Sequence, residues 1–223
     1  MNSLFPAAVI FDMDGVLVDT NPFHVQKWEA LLTEQGIVFD RKGLPKQVLG
    51  PGNDPILRHF FGERLTADER IRLGDELEAR FRLAFAPDAK PFAGVERLIV
   101  ECQEHGVRVA LASAAIRKNV FFILDVLKLR QCFDAVLTAD EITHSKPHPE
   151  IYEKTAQKLG LLPGASVVIE DSFAGIEAAK GAGMKCVAVA STFPAAELRA
   201  HTHADLVIES LEALQLEDLR GLF

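Results

Sequence analysis

Cysteine is scarce in this chain of 223 residues, which has only Cys102, Cys132 and Cys186. The three are far apart and odd in number, most of their neighbours are apolar, and none belongs to a C-x-x-C pair. This usage is not typical of a disulfide framework or of a zinc site. We therefore expect three reduced thiols that pack as core side chains.

Long hydrophobic runs are also missing. No stretch approaches the roughly 18 apolar residues that a membrane-spanning helix requires. The N-terminus, MNSLFPAAVIFDMDG, lacks a basic start and has only a short apolar run, which is not typical of a signal peptide. These absences predict a cytoplasmic protein that does not act on membranes.

Positive charge is in deficit. The chain has 24 Lys and Arg against 32 Asp and Glu, a formal net charge of −8, and no local basic patch offsets it. Such a surface repels nucleic acids and anionic membranes, so neither is an expected partner. Nothing in the sequence indicates an oligomer, and a monomer is the default expectation.

Short apolar runs recur along the chain and alternate with helical patterns. The runs cover residues 7–11, 107–112, 135–138, 166–169 and 185–190, and each reads as a buried strand. Helical patterns lie between them, such as the face formed by Val95, Leu98, Ile99 and Cys102. The alternation predicts an α/β fold with a doubly wound parallel sheet, in which ligands bind at the carboxyl ends of the strands.

One region, from about residue 21 to residue 87, has helix signals and no buried strand. Thr66 and Glu69 form a possible capping box ahead of a helical face made by Leu73, Leu77, Phe81 and Ala84. We interpret this region as a helical-bundle cap inserted after the first strand. The predicted domains are a core of residues 1–18 and 90–223 and a cap of residues 19–89, which would determine substrate specificity.

Two carboxylates follow the first predicted strand directly. Asp12 and Asp14 lie in the segment DMDGVLVDT, residues 12–20, and their i, i+2 spacing lets both face one pocket once the chain leaves the pleat. One carboxylate could bind a metal ion and attack phosphorus, while the other acts as general acid and base. Gly15 allows the sharp turn that brings both there.

This segment resembles the first motif of the haloacid dehalogenase superfamily, and the three later motifs of that superfamily follow in order. Ser113 ends the second predicted strand, and Lys146 lies before a proline in SKPHPE. Glu170 and Asp171 are paired acids after the apolar run VVI. The resemblance spans essentially the whole chain.

The resemblance implies a Mg²⁺-dependent phosphoryl-transfer enzyme. The implied metal ligands are the carboxylates of Asp12 and Asp171, the main-chain carbonyl of Asp14, and Glu170 either directly or through water. Lys146 would neutralise the nucleophile and the phosphoryl oxygens that it contacts.

The resemblance also implies a covalent mechanism. Asp12 would attack phosphorus to form an aspartyl-phosphate, and Asp14 would protonate the leaving oxygen and then activate a water molecule. Ser113 and main-chain N–H groups, those of Gly15 and Ala114 among them, would bind the phosphoryl oxygens. Dehalogenases of the superfamily generally lack an acid at the position of Asp14, which favours phosphate chemistry here.

The cap is similar to that of the β-phosphoglucomutase-like branch. His24 and Trp28 match a His and a Trp of the mutases; His24 either gates the acid–base Asp and touches substrate or is a plain packing residue. Asn53 stands where the mutases carry an Arg that grips a second phosphate, and it either contacts a polar leaving group or caps a helix. Losing that cation favours a phosphatase over a mutase. The alternative is that its place is taken by another basic residue of the cap: Arg58, His59 or Arg80.

The expected function is a Mg²⁺-dependent phosphatase acting on a small phosphorylated metabolite, of the sugar phosphate or phosphoglycolate type. One alternative is a phosphomutase of the β-phosphoglucomutase type, and another is a non-enzymatic protein that binds a phosphorylated metabolite. His144 and His148 flank Lys146 and are expected to be solvent-exposed loop residues; the alternative is that they tune Lys146 or touch substrate.

Overall fold

A parallel sheet of six strands runs through the larger of two units into which the chain divides. The structure is a computed structural model that describes residues 6–49 and 52–223. The larger unit comprises the chain up to Asp19 together with Lys90–Phe223, and the smaller unit is Thr20–Ala89. An insertion after the first strand therefore forms a unit of its own.

The strands of the sheet are Ala8–Phe11 (β1), Arg108–Ala112 (β2), Ala135–Leu137 (β3), Ser166–Glu170 (β4), Lys185–Val189 (β5) and Leu206–Ile208 (β6). They lie in the order β3-β2-β1-β4-β5-β6, and all five pairings are parallel. The order reverses direction between β1 and β4, and ligands bind outside the carboxyl ends of strands at such a point. The sixth strand was not predicted, because its apolar run is only three residues long and lies between two acidic residues, Asp205 and Glu209.

Helices cover both faces of the sheet, which confirms the predicted doubly wound α/β fold. They are Val95–Glu104 (α5), Arg117–Val126 (α6), Glu150–Leu159 (α7), Phe173–Gly181 (α8), Ala195–His201 (α9) and Leu216–Arg220 (α10). Because side chains alternate along a strand, Ile10 of β1 packs in a core with Ile151 of α7 and Ile176 of α8. The buried face of α5 is the predicted one, Val95, Leu98, Ile99 and Cys102.

In its described residues, the smaller unit has four α-helices packed around an apolar core of its own. They are Asn21–Glu34 (α1), Leu44–Val48 (α2), Asn53–Phe61 (α3) and Ala67–Phe85 (α4). Trp28, Leu57 and Leu77 are buried in that core. The capping box of Thr66 and Glu69 is present at the start of α4, as predicted.

One detail of the predicted α4 face is wrong. Leu77 and Phe81 are buried, but Ala84 is exposed and Phe85 is buried in its place. A spacing of four residues from Phe81 keeps the larger aromatic side chain on the buried side of the helix. Among the described residues, no helix is both long and apolar enough to cross a membrane.

Gly94, just before α5, is a position where we expect substitution to be costly. Its φ is +92°, and a Cβ atom there would lie 2.3 Å from the main-chain oxygen of Leu211. The left-handed backbone costs a residue with a Cβ about 1–2 kcal/mol, and the clash adds about 1–3 kcal/mol. Gly94→Ala should therefore lower the free energy of unfolding by at least about 2 kcal/mol in chemical denaturation.

Gly106→Ala is the matched control. Gly106 has a similar φ of +70°, but a Cβ atom there would have nothing within 4 Å. This variant should lose only the backbone cost, about 1–2 kcal/mol. Equal losses in the two variants would show that the close approach to Leu211 is unimportant.

Candidate active site

Asp12 lies at the carboxyl end of β1, in the centre of the sheet. All four residues of β1 are buried, and the main-chain N–H of Asp12 donates to the carbonyl of Ile169 at 3.0 Å, so Asp12 continues the pairing with β4. The chain then turns at Gly15, whose φ is +82° and whose N–H donates to Val18 at 2.8 Å. Asp14 lies within this turn.

Lys146 connects Asp12 to the neighbouring strand. Its Nζ lies 2.5 Å from Asp12 Oδ1 and 2.6 Å from Glu170 Oε1, and its side chain is only 9% exposed. Burial lowers the pKa of Lys146, but the charges of Asp12 and Glu170 outweigh burial and hold that pKa well above its usual range. The ammonium group is therefore charged between two carboxylates.

Glu170 has hydrogen-bond donors on both of its carboxylate oxygens. Oε1 accepts the Tyr152 hydroxyl at 3.0 Å as well as Lys146, and Oε2 accepts the main-chain N–H groups of Asp171 and Ser172, each at 2.8 Å. Burial raises the pKa of Glu170, but Lys146 and the Ser172 donors outweigh it and lower the pKa below its usual value. Glu170 is thus an ionised partner that fixes Lys146.

Asp171 is buried beside this pair. Its Oδ2 accepts a short hydrogen bond from the Thr192 hydroxyl. Burial, followed by the charges of Glu170 and Asp12, raises the pKa of Asp171 well above its usual range. Burial likewise raises the pKa of Asp12 to about 8, with Lys146 opposing the shift and Glu170 and Asp14 adding to it.

Asp12, Glu170 and Asp171 form a cluster that could hold a metal ion. Each offers an oxygen atom, and these atoms lie within 4.8 Å of one another. Three buried carboxylates share one ammonium group, so their mutual repulsion is only partly offset. A hard divalent cation that prefers oxygen ligands fits both the charge and the chemistry of this set.

Ser113 lies at the same edge of the sheet, immediately after β2. It is fully buried; its N–H donates to the carbonyl of Leu137 at 3.0 Å, and its Oγ accepts the N–H of Ala115 at 3.1 Å. Ala114, between them, is exposed. Asp140 accepts the Arg117 N–H at 2.6 Å and so holds this loop at the start of α6.

Two predicted substrate residues belong to the smaller unit. His24 stacks on Phe81 with ring centroids 4.3 Å apart. The Asn53 amide donates to Glu78 at 2.8 Å, and Glu78 also pairs with Lys27 at 2.5 Å. Substrate binding by His24 and Asn53 stays a prediction.

Four residues that the sequence patterns did not single out support the acidic cluster. Tyr152 and Ser172 donate to Glu170, and Thr192 donates to Asp171. Ser191 donates a short hydrogen bond to the carbonyl of Gly15. Ser191 and Thr192 follow the apolar run of β5, so the signal that identified Asp12, Ser113 and Asp171, a polar residue just after a strand, was present here too.

Comparison with known proteins identifies the family. Residues 9–189 match the model of the haloacid dehalogenase-like hydrolases. The chain belongs to this family. Membership confirms the predicted resemblance, and an enzyme of a hydrolase family is favoured over the non-enzymatic alternative.

Relatives of this haloacid dehalogenase-like hydrolase include named phosphatases. Hexitol phosphatase B of Escherichia coli (strain K12) is 31% identical over 219 residues, which are 96% of each chain. A phosphorylated carbohydrates phosphatase of Thermotoga maritima is 30% identical over 188 residues, 80% of this chain and 82% of the relative. The crystal structure of β-phosphoglucomutase from Clostridium difficile superposes with a TM-score of 0.84 at 28% identity, covering 97% of this chain and 96% of the other.

Gly175 in α8 provides a test of how tightly Glu170 is held. A Cβ atom at Gly175 would lie 1.6 Å from Glu170 Oε1, so Gly175→Ala must displace the carboxylate that fixes Lys146. Misplacing a catalytic group by about 1 Å can cost about a hundredfold in rate, and we expect a loss of that order in the hydrolysis of p-nitrophenyl phosphate.

The control for this substitution lies in the same helix. A Cβ atom at Gly181 would make only ordinary contacts, 3.5 Å from Pro149 Cβ, so Gly181→Ala should keep the wild-type rate. A Gly175→Ala enzyme with full activity and unchanged stability would mean that the position of Glu170 does not matter.

Proposed function

We propose that the protein is a Mg²⁺-dependent phosphatase that hydrolyses a small phosphorylated carbohydrate or polyol through a covalent intermediate on Asp12. The observation that carries the proposal is the arrangement of Asp12, with one carboxylate oxygen on Lys146 and two further carboxylates beside it. An anionic nucleophile approaches a phosphate ester only where positive charge offsets the repulsion between them.

The metal ion would be held by Asp12 and Asp171, with the Asp14 carbonyl and Glu170 completing the set. Their oxygen atoms are the ligands that Mg²⁺ prefers. Bound there, Mg²⁺ supplies the positive charge that neutralises the phosphoryl group. Glu170 already accepts donors on both oxygens, which favours a contact through water.

The protein side chains carry out two displacements at phosphorus. In the first, an Asp12 oxygen forms a bond to phosphorus, the ester P–O bond breaks, and Asp14 gives its proton to the leaving alcohol. In the second, Asp14 takes a proton from water, the water oxygen bonds to phosphorus, and the Asp12–phosphorus bond breaks. The sum is an ester and water converted to an alcohol and phosphate.

The remaining groups hold the phosphoryl oxygens during both steps. Lys146 neutralises the oxygens of Asp12 and of the phosphoryl group. Ser113 and the main-chain N–H groups of Gly15 and Ala114 donate hydrogen bonds to the other oxygens. Glu170 accepts hydrogen bonds from both Lys146 and Tyr152, so the Lys146 ammonium is already in position. Little movement of these side chains is therefore needed as negative charge develops on the phosphoryl oxygens.

The charges in the smaller unit support a phosphatase over the phosphomutase alternative. Asn53 takes the place of an expected cation, and its amide is committed to Glu78 and, at 3.4 Å, to the carbonyl of Gly74. The positive charge of Lys27 is matched by Glu78. The buried Lys27–Glu78 pair is neutral as a whole, whereas a mutase must grip a second phosphate. The names of the two phosphatase relatives point to hexitol and carbohydrate phosphates.

The substrate class can be tested by incubating the enzyme with Mg²⁺ and hexitol phosphates, aldose and ketose phosphates, phosphoglycolate or β-glucose 1-phosphate. Free phosphate and isomerised sugar phosphate are measured in parallel. We expect phosphate release from a carbohydrate or polyol phosphate and no isomerisation. Isomerisation of β-glucose 1-phosphate without phosphate release would show that the protein is a phosphomutase and not a phosphatase.

The nucleophile is tested by Asp12→Asn on the best substrate of that panel. Loss of a catalytic nucleophile costs several orders of magnitude in rate, and we expect a fall of about 10⁴-fold or more. Asp125→Asn is the control, since Asp125 is an exposed carboxylate on α6 paired with Arg130. Turnover by Asp12→Asn at the rate of this control would exclude covalent catalysis by Asp12.

Metal binding is tested by thermal unfolding of metal-free protein with and without Mg²⁺. A ligand that binds only the folded state adds about 2.7 kcal/mol at a hundredfold excess over its Kd, so Mg²⁺ should raise the Tm of the wild type. Asp171→Asn should raise the Tm of the metal-free protein, because folding then no longer buries a carboxyl group whose pKa is raised by burial and by Glu170 and Asp12, and should abolish the Mg²⁺ effect. An equal Mg²⁺ shift in the variant would place the ion elsewhere.

A further inference from the structure

We propose that His144, His148 and Glu150 form a second site for a divalent ion of the Zn²⁺ type, on the loop that also carries Lys146. This site shares no residue with the acidic cluster of Asp12, Glu170 and Asp171. Its two imidazoles also give it a different ligand chemistry.

The three side chains converge at the start of α7. Their ligand atoms lie within 4.8 Å of one another, and the two imidazole rings have centroids 4.5 Å apart. The His144 side chain is 62% exposed, and His148 is exposed as well. Both rings can therefore turn to bring a nitrogen to the distance of about 2.0–2.1 Å at which imidazole binds zinc, and an ion can enter from solvent.

The Nδ1 lone pair of His148 points towards the main-chain N–H of Glu150, at the proposed site. The Nδ1 atom accepts this N–H at 3.2 Å, and only a deprotonated ring nitrogen can accept. A metal ion would take that lone pair in place of the N–H group. The Nδ1 lone pair is thus positioned for a metal ion.

Glu150 divides its two oxygens between different partners. Oε1 accepts Lys154 at 2.6 Å and the Thr143 N–H at 2.9 Å, whereas Oε2 accepts the His144 main-chain N–H at 2.8 Å and lies 3.0 Å from His144 Nδ1. Oε2 is therefore the oxygen that faces the imidazoles. An ion bound by Oε2 and the two rings would leave the Lys154 contact intact.

The surroundings select the kind of ion. Lys154 and the positive end of α7 both oppose a cation, so an ion held weakly by oxygen, such as Mg²⁺, is not expected to stay. Two imidazole nitrogens suit Zn²⁺ and similar transition metals, and their bonds can offset that repulsion. The acidic cluster of Asp12, Glu170 and Asp171 offers only oxygen ligands and therefore favours Mg²⁺.

The position on the chain gives the site a link to the proposed catalytic lysine. Lys146 lies between the two histidines, and its side chain is 9% exposed, while theirs are exposed. The chain therefore directs Lys146 inward and the two imidazoles outward. An ion held by His144, His148 and Glu150 would fix both ends of the segment that positions Lys146.

The test is a Zn²⁺ titration of the full chain followed by NMR of the imidazole rings, with Mg²⁺ in excess to occupy the acidic cluster. The chain has seven histidines. We expect the signals of His144 and His148 to shift together with one equivalent of Zn²⁺, while the other five stay in place. The readout does not depend on turnover, so it stands apart from the proposed function.

Variants make the assignment specific. His148→Ala and Glu150→Gln should each weaken Zn²⁺ binding by about tenfold or more, since even groups that only orient a metal ligand contribute about 10–100-fold. His203→Ala is the control, an exposed histidine outside the cluster, and should bind Zn²⁺ as the wild type does. Circular dichroism checks that each variant is folded.

Two results would overturn the site. In the first, Zn²⁺ shifts none of the histidine signals, or shifts those of other histidines. In the second, His148→Ala and Glu150→Gln bind Zn²⁺ with wild-type affinity. Either result would leave His144 and His148 as exposed loop residues, as the sequence alone predicts.

Discussion

Three carboxylates and one ammonium group are buried together at the carboxyl ends of β1 and β4. Burying these charges is costly, and the residues packed around them offset that cost. Like charges this close raise the pKa of one another, and each buried ion loses its hydration. The structure offsets this cost locally. Lys146 pairs with Asp12 and Glu170, and hydroxyl and main-chain donors saturate Glu170.

The close packing of the backbone against these carboxylates leaves no room for a side chain at two glycines. A Cβ atom at Gly15 would lie 1.9 Å from Asp171 Oδ2, and one at Gly175 would lie 1.6 Å from Glu170 Oε1. These two glycines bring the first turn and the start of α8 against the carboxylates. The charged cluster is thus enclosed by backbone, and a cation that joins it replaces repulsion with attraction.

The sequence predicted the three carboxylates because they lie at the ends of apolar strands, and parallel strands end at one edge of a sheet. Lys146 follows no strand directly and was predicted only from the resemblance to the third motif of the superfamily. The sequence did not predict Tyr152 and Thr192, whose hydroxyls bind the cluster. Tyr152 lies on a helix face that is typical of core packing, and no local pattern marks its hydroxyl. Ala84 was placed wrongly, because a helical period alone does not distinguish it from Phe85 on an adjacent position of the helix.

The central claim is that Asp12 becomes covalently phosphorylated during turnover. The most direct measurement is to mix enzyme, Mg²⁺ and its best phosphorylated substrate, quench in acid within one turnover, and map the peptides by mass spectrometry. The account predicts one phosphoryl group on Asp12, absent from Asp12→Asn and lost on treatment with hydroxylamine. Phosphate release in the first turnover with Asp12 unmodified, or a phosphoryl group on another residue, would contradict it.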